Sequence, residues 1–208
     1  MKLEILDLYK DESYVPTEPV SLTEAKSQCL VDFPDDDTFI TALITQCRKA
    51  IEDYCHISIV PKTIFLTARN PMPFNADPNL LNYRWDASFY GWPLNYDWSD
   101  LPYGPIAAIQ SVTSIDPTGA ITVLAVNQDY YLSGTSFLKM RVNMWYDQLL
   151  IQYFTPYYCP TALKEAILNE IAFRYENRGS GVNRYAKQSV AYSEGAQYLA
   201  NPYVRVWL

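Results

Sequence analysis

Between residues 39 and 54 apolar side chains return at the spacing of an α-helix, and this run constrains the chain more than any other. Phe39, Ile40, Leu43, Ile44, Cys47, Ala50, Ile51 and Tyr54 recur at spacings of one, three and four. At 3.6 residues per turn they share one face, so the segment is expected to be an amphipathic helix that needs a partner surface. Asp35, Asp36 and Asp37 precede it, where carboxylates cap free amides and meet the positive end of the helix dipole. Pro61 bars continuation beyond residue 60.

A second, shorter helix is expected just before it. Ser21-Leu22-Thr23-Glu24 is a capping box, and Pro34 excludes a long continuation. A third helix is expected from Thr161 to Arg178. There Leu163, Ile167, Ile171 and Tyr175 repeat every four residues, Pro160 suits the start and Gly179 the end. One or two further turns are expected near Ser193–Ala200, before Pro202.

Between these helices the period changes to two. Lys62–Arg69 alternates Ile64, Leu66 and Ala68 with Thr63, Phe65 and Thr67. Ile109–Ile115 runs into Asp116-Pro117-Thr118-Gly119, a turn sequence, and Ile121–Val126 is expected to pair back. Tyr130–Ser133, Phe137–Val142 and Leu149–Phe154 read as further strands. The order helix, helix, strands, helix predicts an α+β fold. Its expected form is a small helical bundle built from N- and C-terminal parts, residues 21–60 and 160–200, with an antiparallel β insertion over 61–159. Residues 1–20, polar and mixed with Pro16 and Pro19, read as an extended arm, and 201–208 as a C-terminal tail.

Charge narrows the function. The net charge of −7 sits entirely in residues 1–60, which hold 5 Lys/Arg against 12 Asp/Glu. Such a chain is not expected to grip phosphate backbones, since that affinity comes from cations displacing counterions. No run approaches the ~18 consecutive apolar residues of a spanning helix, so no membrane association is expected. Met1–Asp7 turns acidic at once and has no apolar signal region, so synthesis in a cytoplasm is expected.

The residues that could carry chemistry have simpler roles. His56 is the only histidine and has no second base candidate, so it reads as a polar residue at a helix C-terminus. Cys29, Cys47, Cys55 and Cys159 lack the close pairs of a zinc site and read as reduced core thiols. Asp35–Asp37 lack the alternating ligands, turn glycine and closing glutamate of a calcium loop. Arg178-Gly179-Ser180-Gly181 follows a helix, whereas a phosphate cradle precedes one. No catalytic residue, cofactor or metal is assigned, and the chain is not expected to be an enzyme.

The sharpest feature is aromatic. Residues 70–105 hold six prolines, and eight aromatic residues fall between Tyr83 and Tyr103. A loop this long is usually functional or an insertion. Trp85, Tyr90, Trp92 and Trp98 are candidate protein-interface residues, because Trp and Tyr dominate interface hot spots. Tyr203, Arg205 and Trp207 in the tail join them on the same ground. Two alternatives stand beside the interface: an insertion with its own small core, and a carbohydrate- or receptor-binding or other tail module that uses the aromatic loop for stacking.

Four stretches together resemble the head-tail connector (head-completion or adaptor) family of tailed bacteriophages. They are Val20–Lys26 with the acidic entry to the second helix; Ile51-Glu52-Asp53-Tyr54 followed by Ile59; Leu101–Ile106 leading to Ile109–Val112; and Pro160 through Ala172 to Asn177-Arg178, with the tail Leu199–Val206. The resemblance rests on their order and spacing. The chain departs from it at Tyr153–Tyr158, where a Gly-Tyr pair is common, and in its longer, more aromatic 70–103 segment. The resemblance implies a structural adaptor subunit of a virion neck, assembled in the host cytoplasm. It would form a homo-oligomeric ring of twelve beneath the portal protein, extend the DNA channel without sequence-specific binding, and dock a downstream tail or neck protein, with the C-terminal tail as the docking candidate.

Overall fold

The computed structural model describes residues 4–11, 17–69, 98–116, 118–143, 146–178 and 192–205. The chain is α+β. Four α-helices and eight strands are present among the described residues. They divide into a β unit, residues 1–14, 62–155 and 207–208, and a helical unit, residues 15–61 and 156–206.

In the β unit, strands β1 (Glu4–Asp11), β2 (Lys62–Arg69), β4 (Ala108–Ile115), β5 (Ile121–Val123) and β8 (Gln148–Thr155) form one antiparallel sheet in the order β1-β2-β8-β4-β5. Short strands β3 (Ser99–Asp100), β6 (Tyr130–Ser133) and β7 (Lys139–Val142) form a second, in the order β3-β7-β6. The alternation expected for Lys62–Arg69 is present: Ile64, Leu66 and Ala68 are buried, while Phe65 and Arg69 face outward. Cross-strand neighbours repeat the pattern, with Leu66 opposite Ile151 and Ile64 opposite Tyr153. The buried face joins Leu101, Ile106, Met140 and Val142 in one core, and the Tyr153 hydroxyl donates to Pro102 O at 2.5 Å. Burial without that acceptor would cost about 1–3 kcal/mol.

Three expectations shift here. Glu4–Asp11, within the expected arm, pairs along β2 as an edge strand. β5 stops at Val123 because Leu124 turns inward and is buried, leaving Val126 in a single bridge to Tyr130. β7 begins at Lys139, because Ser133 pairs with Lys139 and the residues between them close the hairpin, with Gly134 at φ 101°.

The insertion has adjacent ends. Lys62 pairs with Thr155, whose hydroxyl lies 3.2 Å from both Lys62 N and Lys62 O. In the helical unit the flanking residues also meet, Tyr158 N donating to Ile59 O at 2.8 Å. A segment whose ends touch can be inserted without stretching its host.

The helical unit holds α1 (Leu22–Cys29), α2 (Asp37–Cys55), α3 (Thr161–Glu176) and α4 (Glu194–Ala200), followed by a 3-10 turn, Asn201–Tyr203. The capping box closes α1: Ser21 Oγ accepts from Glu24 N at 3.3 Å, and Glu24 accepts from Ser21 N at 3.0 Å. α3 packs on α1, α2 and α4, burying Leu163, Ile167 and Ile171. It ends at Glu176 rather than Arg178, with Asn177 Nδ2 donating to Phe173 O; Gly179 lies outside the described residues.

α2 departs from its expected face. Ile40, Leu43, Ile44, Cys47 and Ile51 are buried, but so are Arg48 and Glu52, while Phe39 is exposed. Its entry differs too. Asp36 occupies the N-cap position at φ −94°, ψ 3°, and makes no side-chain cap. That backbone is not the extended one that aims a cap side chain at the amides. The Asp36 carboxylate instead accepts from Tyr175 Oη at 2.5 Å and Arg178 Nη1 at 2.9 Å, and Asp37 pairs with Lys26 at 2.6 Å.

Candidate functional surface

Of the four cysteines expected in the core, Cys47 and Cys55 are buried, whereas Cys29 and Cys159 are only half-buried. Burial pushes the Cys47 and Cys55 thiols up to about 12, so at neutral pH they are not nucleophiles. Burial raises Cys29 and Cys159 as well. His56 is the C-cap of α2, in the left-handed conformation at φ 54°. Among the described residues no group of three His, Cys, Asp or Glu side chains could hold a metal. No described helix is long and apolar enough to cross a membrane.

The buried carboxylates are structural. Arg48 Nε donates to Glu18 at 2.8 Å and its Nη1 to Glu52 at 2.8 Å. The other Glu52 oxygen accepts from Ile59 N at 2.6 Å and Val60 N at 3.3 Å. One charge network thus ties the segment before α1, the middle of α2 and the connection that leaves α2. Glu170 does the same on α3, accepting from Arg174 Nε at 2.8 Å and from Ser193 N, the cap of α4, at 2.8 Å. Buried charges survive only when so paired.

Among the described residues the surface exposes apolar side chains at several places. The outward face of the large sheet carries Tyr9 and Phe65, cross-strand partners with ring centroids 5.9 Å apart. Strand β5, at the sheet edge, exposes Ile121 (68%) and Val123 (74%). In the helical unit the turn joining α1 to α2 presents Leu30 and Phe33, and the first turn of α2 presents Phe39; Leu30 is 93% exposed. Leu30 caps α1 with φ 56°, a left-handed conformation that a leucine adopts at a cost of roughly 1–2 kcal/mol.

Of the interface residues expected from sequence, Trp85, Tyr90, Trp92 and Trp207 lie outside the described residues. Trp98 belongs to the β unit, 38% exposed, with the Arg141 guanidinium 5.2 Å from its ring and 4.9 Å from that of Tyr131. Tyr203 and Arg205 belong to the helical unit. Tyr203 closes the 3-10 turn, half-buried, and Arg205 is exposed while its backbone N donates to Cys55 O at 2.9 Å. Leu30 and Phe33 were not legible as surface residues. The available signal was that both are apolar, fall outside any helical period, and stand in a turn with Asp32 and Asp35.

The resemblance seen in the sequence is matched by comparison with known proteins. The model of the phage gp6-like head-tail connector protein family matches residues 19–82. No curated protein matches the sequence. The fold is similar to that of a chain in the neck of an empty gene transfer agent (GTA) particle computed with C6 symmetry. There the TM-score is 0.63 at 14% identity, over 98% of this chain and 97% of that one. A chain in the virion of a native GTA particle matches equally, with TM-score 0.63, 14% identity and 98% and 97% coverage. A chain in the neck of a native GTA particle computed with C12 symmetry gives TM-score 0.52 at 14% identity, over 93% and 97%.

Proposed function

We propose that this chain is a non-enzymatic structural subunit of a phage-like virion neck, a head-tail connector that works as a ring. The observation that supports it best is double coverage. The connector family model falls on residues 19–82, and the fold shared with a neck chain runs through 98% of the sequence. The C6 and C12 symmetries belong to the particles holding those similar chains, and they favour a cyclic, head-to-tail arrangement of copies here.

In this reading the helical unit is a small bundle made from both parts of the chain, and its packed face sets subunit shape. A ring of twelve beneath the portal protein would extend the DNA channel and receive a downstream tail or neck protein. Its acidic N-terminal third would let DNA pass rather than hold it, since the chain offers no excess of cations to its phosphates. Trp98, Tyr203 and Arg205, with Trp85, Tyr90, Trp92 and Trp207, remain the proposed contact residues.

The test is the mass of the purified protein in solution, alone and mixed with the portal protein of the same particle. A ring-sized species, formed alone or only with the portal, is expected. A monomer indifferent to the portal would sink the connector reading. Deleting residues 202–208 is expected to preserve the fold and weaken assembly, scored by incorporation into particles.

A further inference from the structure

The five-stranded sheet ends in two edges of opposite character. At β1 the edge is defended. A bulge interrupts its ladder between Ile5 and Asp7, the strand carries Glu4, Asp7 and Asp11, and the Leu8 N–H donates to the Asp7 carboxylate at 2.8 Å. Charge and bulges at an edge keep other strands from pairing there. β5 has no charge and no bulge: it is Ile121-Thr122-Val123, and all of it is exposed.

The register fixes what this edge offers. Leu124 N donates to Val112 O at 2.9 Å and Asp116 N to Ala120 O at 3.1 Å. Thr113 stands opposite Val123, and Ile115 opposite Ile121. Hydrogen-bonded and non-bonded pairs alternate along an antiparallel ladder, so Ile121 and Val123 fall in the non-bonded pairs. Their N–H and C=O groups therefore point away from β4, and among the described residues no strand lies beyond. The hairpin is also ordered. Asp116 Oδ1 accepts from Thr118 N at 2.8 Å and Ala120 N at 2.9 Å, and Asp129 Oδ2 from Ala125 N at 2.8 Å. The carboxylates that flank β5 in the chain are thus turned onto their own backbone, and an ordered edge loses less entropy on pairing.

We infer that β5 pairs antiparallel with β5 of a second copy of this chain, about a twofold axis through Thr122. That axis sets Ile121 of one copy against Val123 of the other, and Val123 against Ile121. Every outward N–H of the two edges then meets an outward C=O, and the exposed Ile and Val side chains stack across the seam. A twofold places like against like, which an uncharged edge accepts and the acidic edge at β1 would resist. The three-residue length of β5 keeps the pairing from running on. The inference stands apart from the connector reading. A cyclic ring joins unlike patches, whereas this contact joins identical ones, so the pair belongs to the free protein and not to the ring.

The experiment uses the full chain, by sedimentation over a range of concentrations and by cross-linking. Thr122 would lie in the central non-bonded pair, where Cα atoms stand about 4.5 Å apart, within disulfide reach. Mild oxidation of Thr122→Cys is expected to give a covalent dimer on a non-reducing gel. Wild type and Tyr198→Cys, whose site on α4 is 78% exposed, are the controls for chance collision. Val123→Lys changes an exposed side chain, so its melting temperature is expected to stay within a few degrees of the wild type. Its dimer is expected to dissociate about tenfold more readily or further, because Lys guards an edge. Equal cross-linking of Thr122→Cys and Tyr198→Cys overturns the pair, and so does a dimer that Val123→Lys leaves intact. A wild type that forms a ring with the portal but shows neither dimer nor selective cross-link sinks the pair and keeps the connector reading. A dimer broken by Val123→Lys in a chain indifferent to the portal keeps the pair and sinks that reading.

Discussion

The β unit and the helical unit solve the same problem with different chemistry. The β unit is held by an apolar core in which alternate residues of paired strands face inward, so register and burial specify each other. The helical unit is assembled from two stretches separated by the insertion, and its interior contains paired charges: Arg48, Glu52 and Glu170 are all buried, whereas among the described residues the β unit buries one charged side chain, Lys62. Hydrophobic packing alone tolerates rotation and sliding of helices. A buried carboxylate held by fixed donors loses those bonds when the helices shift, and the substitutions below test whether that holds the helical unit in place.

The sharpest way to break this contrast is Glu52→Ala. It would strip a partner from Arg48 and leave Ile59 N and Val60 N without their acceptor. A loss of about 3–5 kcal/mol is expected in urea unfolding of the full chain. A loss below ~1 kcal/mol would mean the network is dispensable. Next is Leu149→Ala in the β unit, fully buried in the apolar core. About 2–4 kcal/mol is expected, as transfer plus cavity energy. Should it exceed the effect of Glu52→Ala, the two units would not differ as argued.

Ser193→Ala is smaller. Ser193 Oγ accepts from Ala196 N at 3.1 Å at the start of α4, and its loss should lower stability by about 1 kcal/mol. Hydrogen exchange should localise the change to α4. The smallest effect is electrostatic. A hydrogen bond from Lys164, then bonds from Ser21, hold the Glu24 carboxyl down at about 2, below its ordinary 4.5. Its folded pKa lies below the unfolded one, so its contribution is present above pH 4.5 and disappears as pH falls towards 2. The site is exposed, so the effect is slight and screened by salt. Melting temperatures of wild type and Glu24→Gln should converge over that interval; parallel curves would deny the linkage.

Local pattern made much of this legible. The Ser21–Glu24 box starts α1, the Lys62–Arg69 alternation is β2 residue for residue, and Tyr130–Ser133 is β6. These features depend on neighbours within a few positions. Burial of Arg48 and Glu52 does not follow from local pattern, because it depends on a distant partner, Glu18, and on the Ile59–Val60 amides. The signal was present, since both fall at helical spacing from Ile44 and four residues apart. The same period puts Phe39 on the buried face, yet it lies where α2 begins, exposed, with the Tyr175 ring 6.3 Å away.

The α+β order, the Ser21 cap, the excess of acid in residues 1–60 and the likeness to connector proteins can be read from residue order alone. Those follow from local backbone preference, periodicity and charge, which need no coordinates. Packing of remote segments makes Glu4–Asp11 close the sheet edge and makes Asp36 serve Arg178 and Tyr175 instead of its own helix. It alone decided that Leu30 stands in solvent on a left-handed backbone. Each of these is settled by which remote groups compete for the same side chain or amide, a contest whose outcome appears only after the chain has folded.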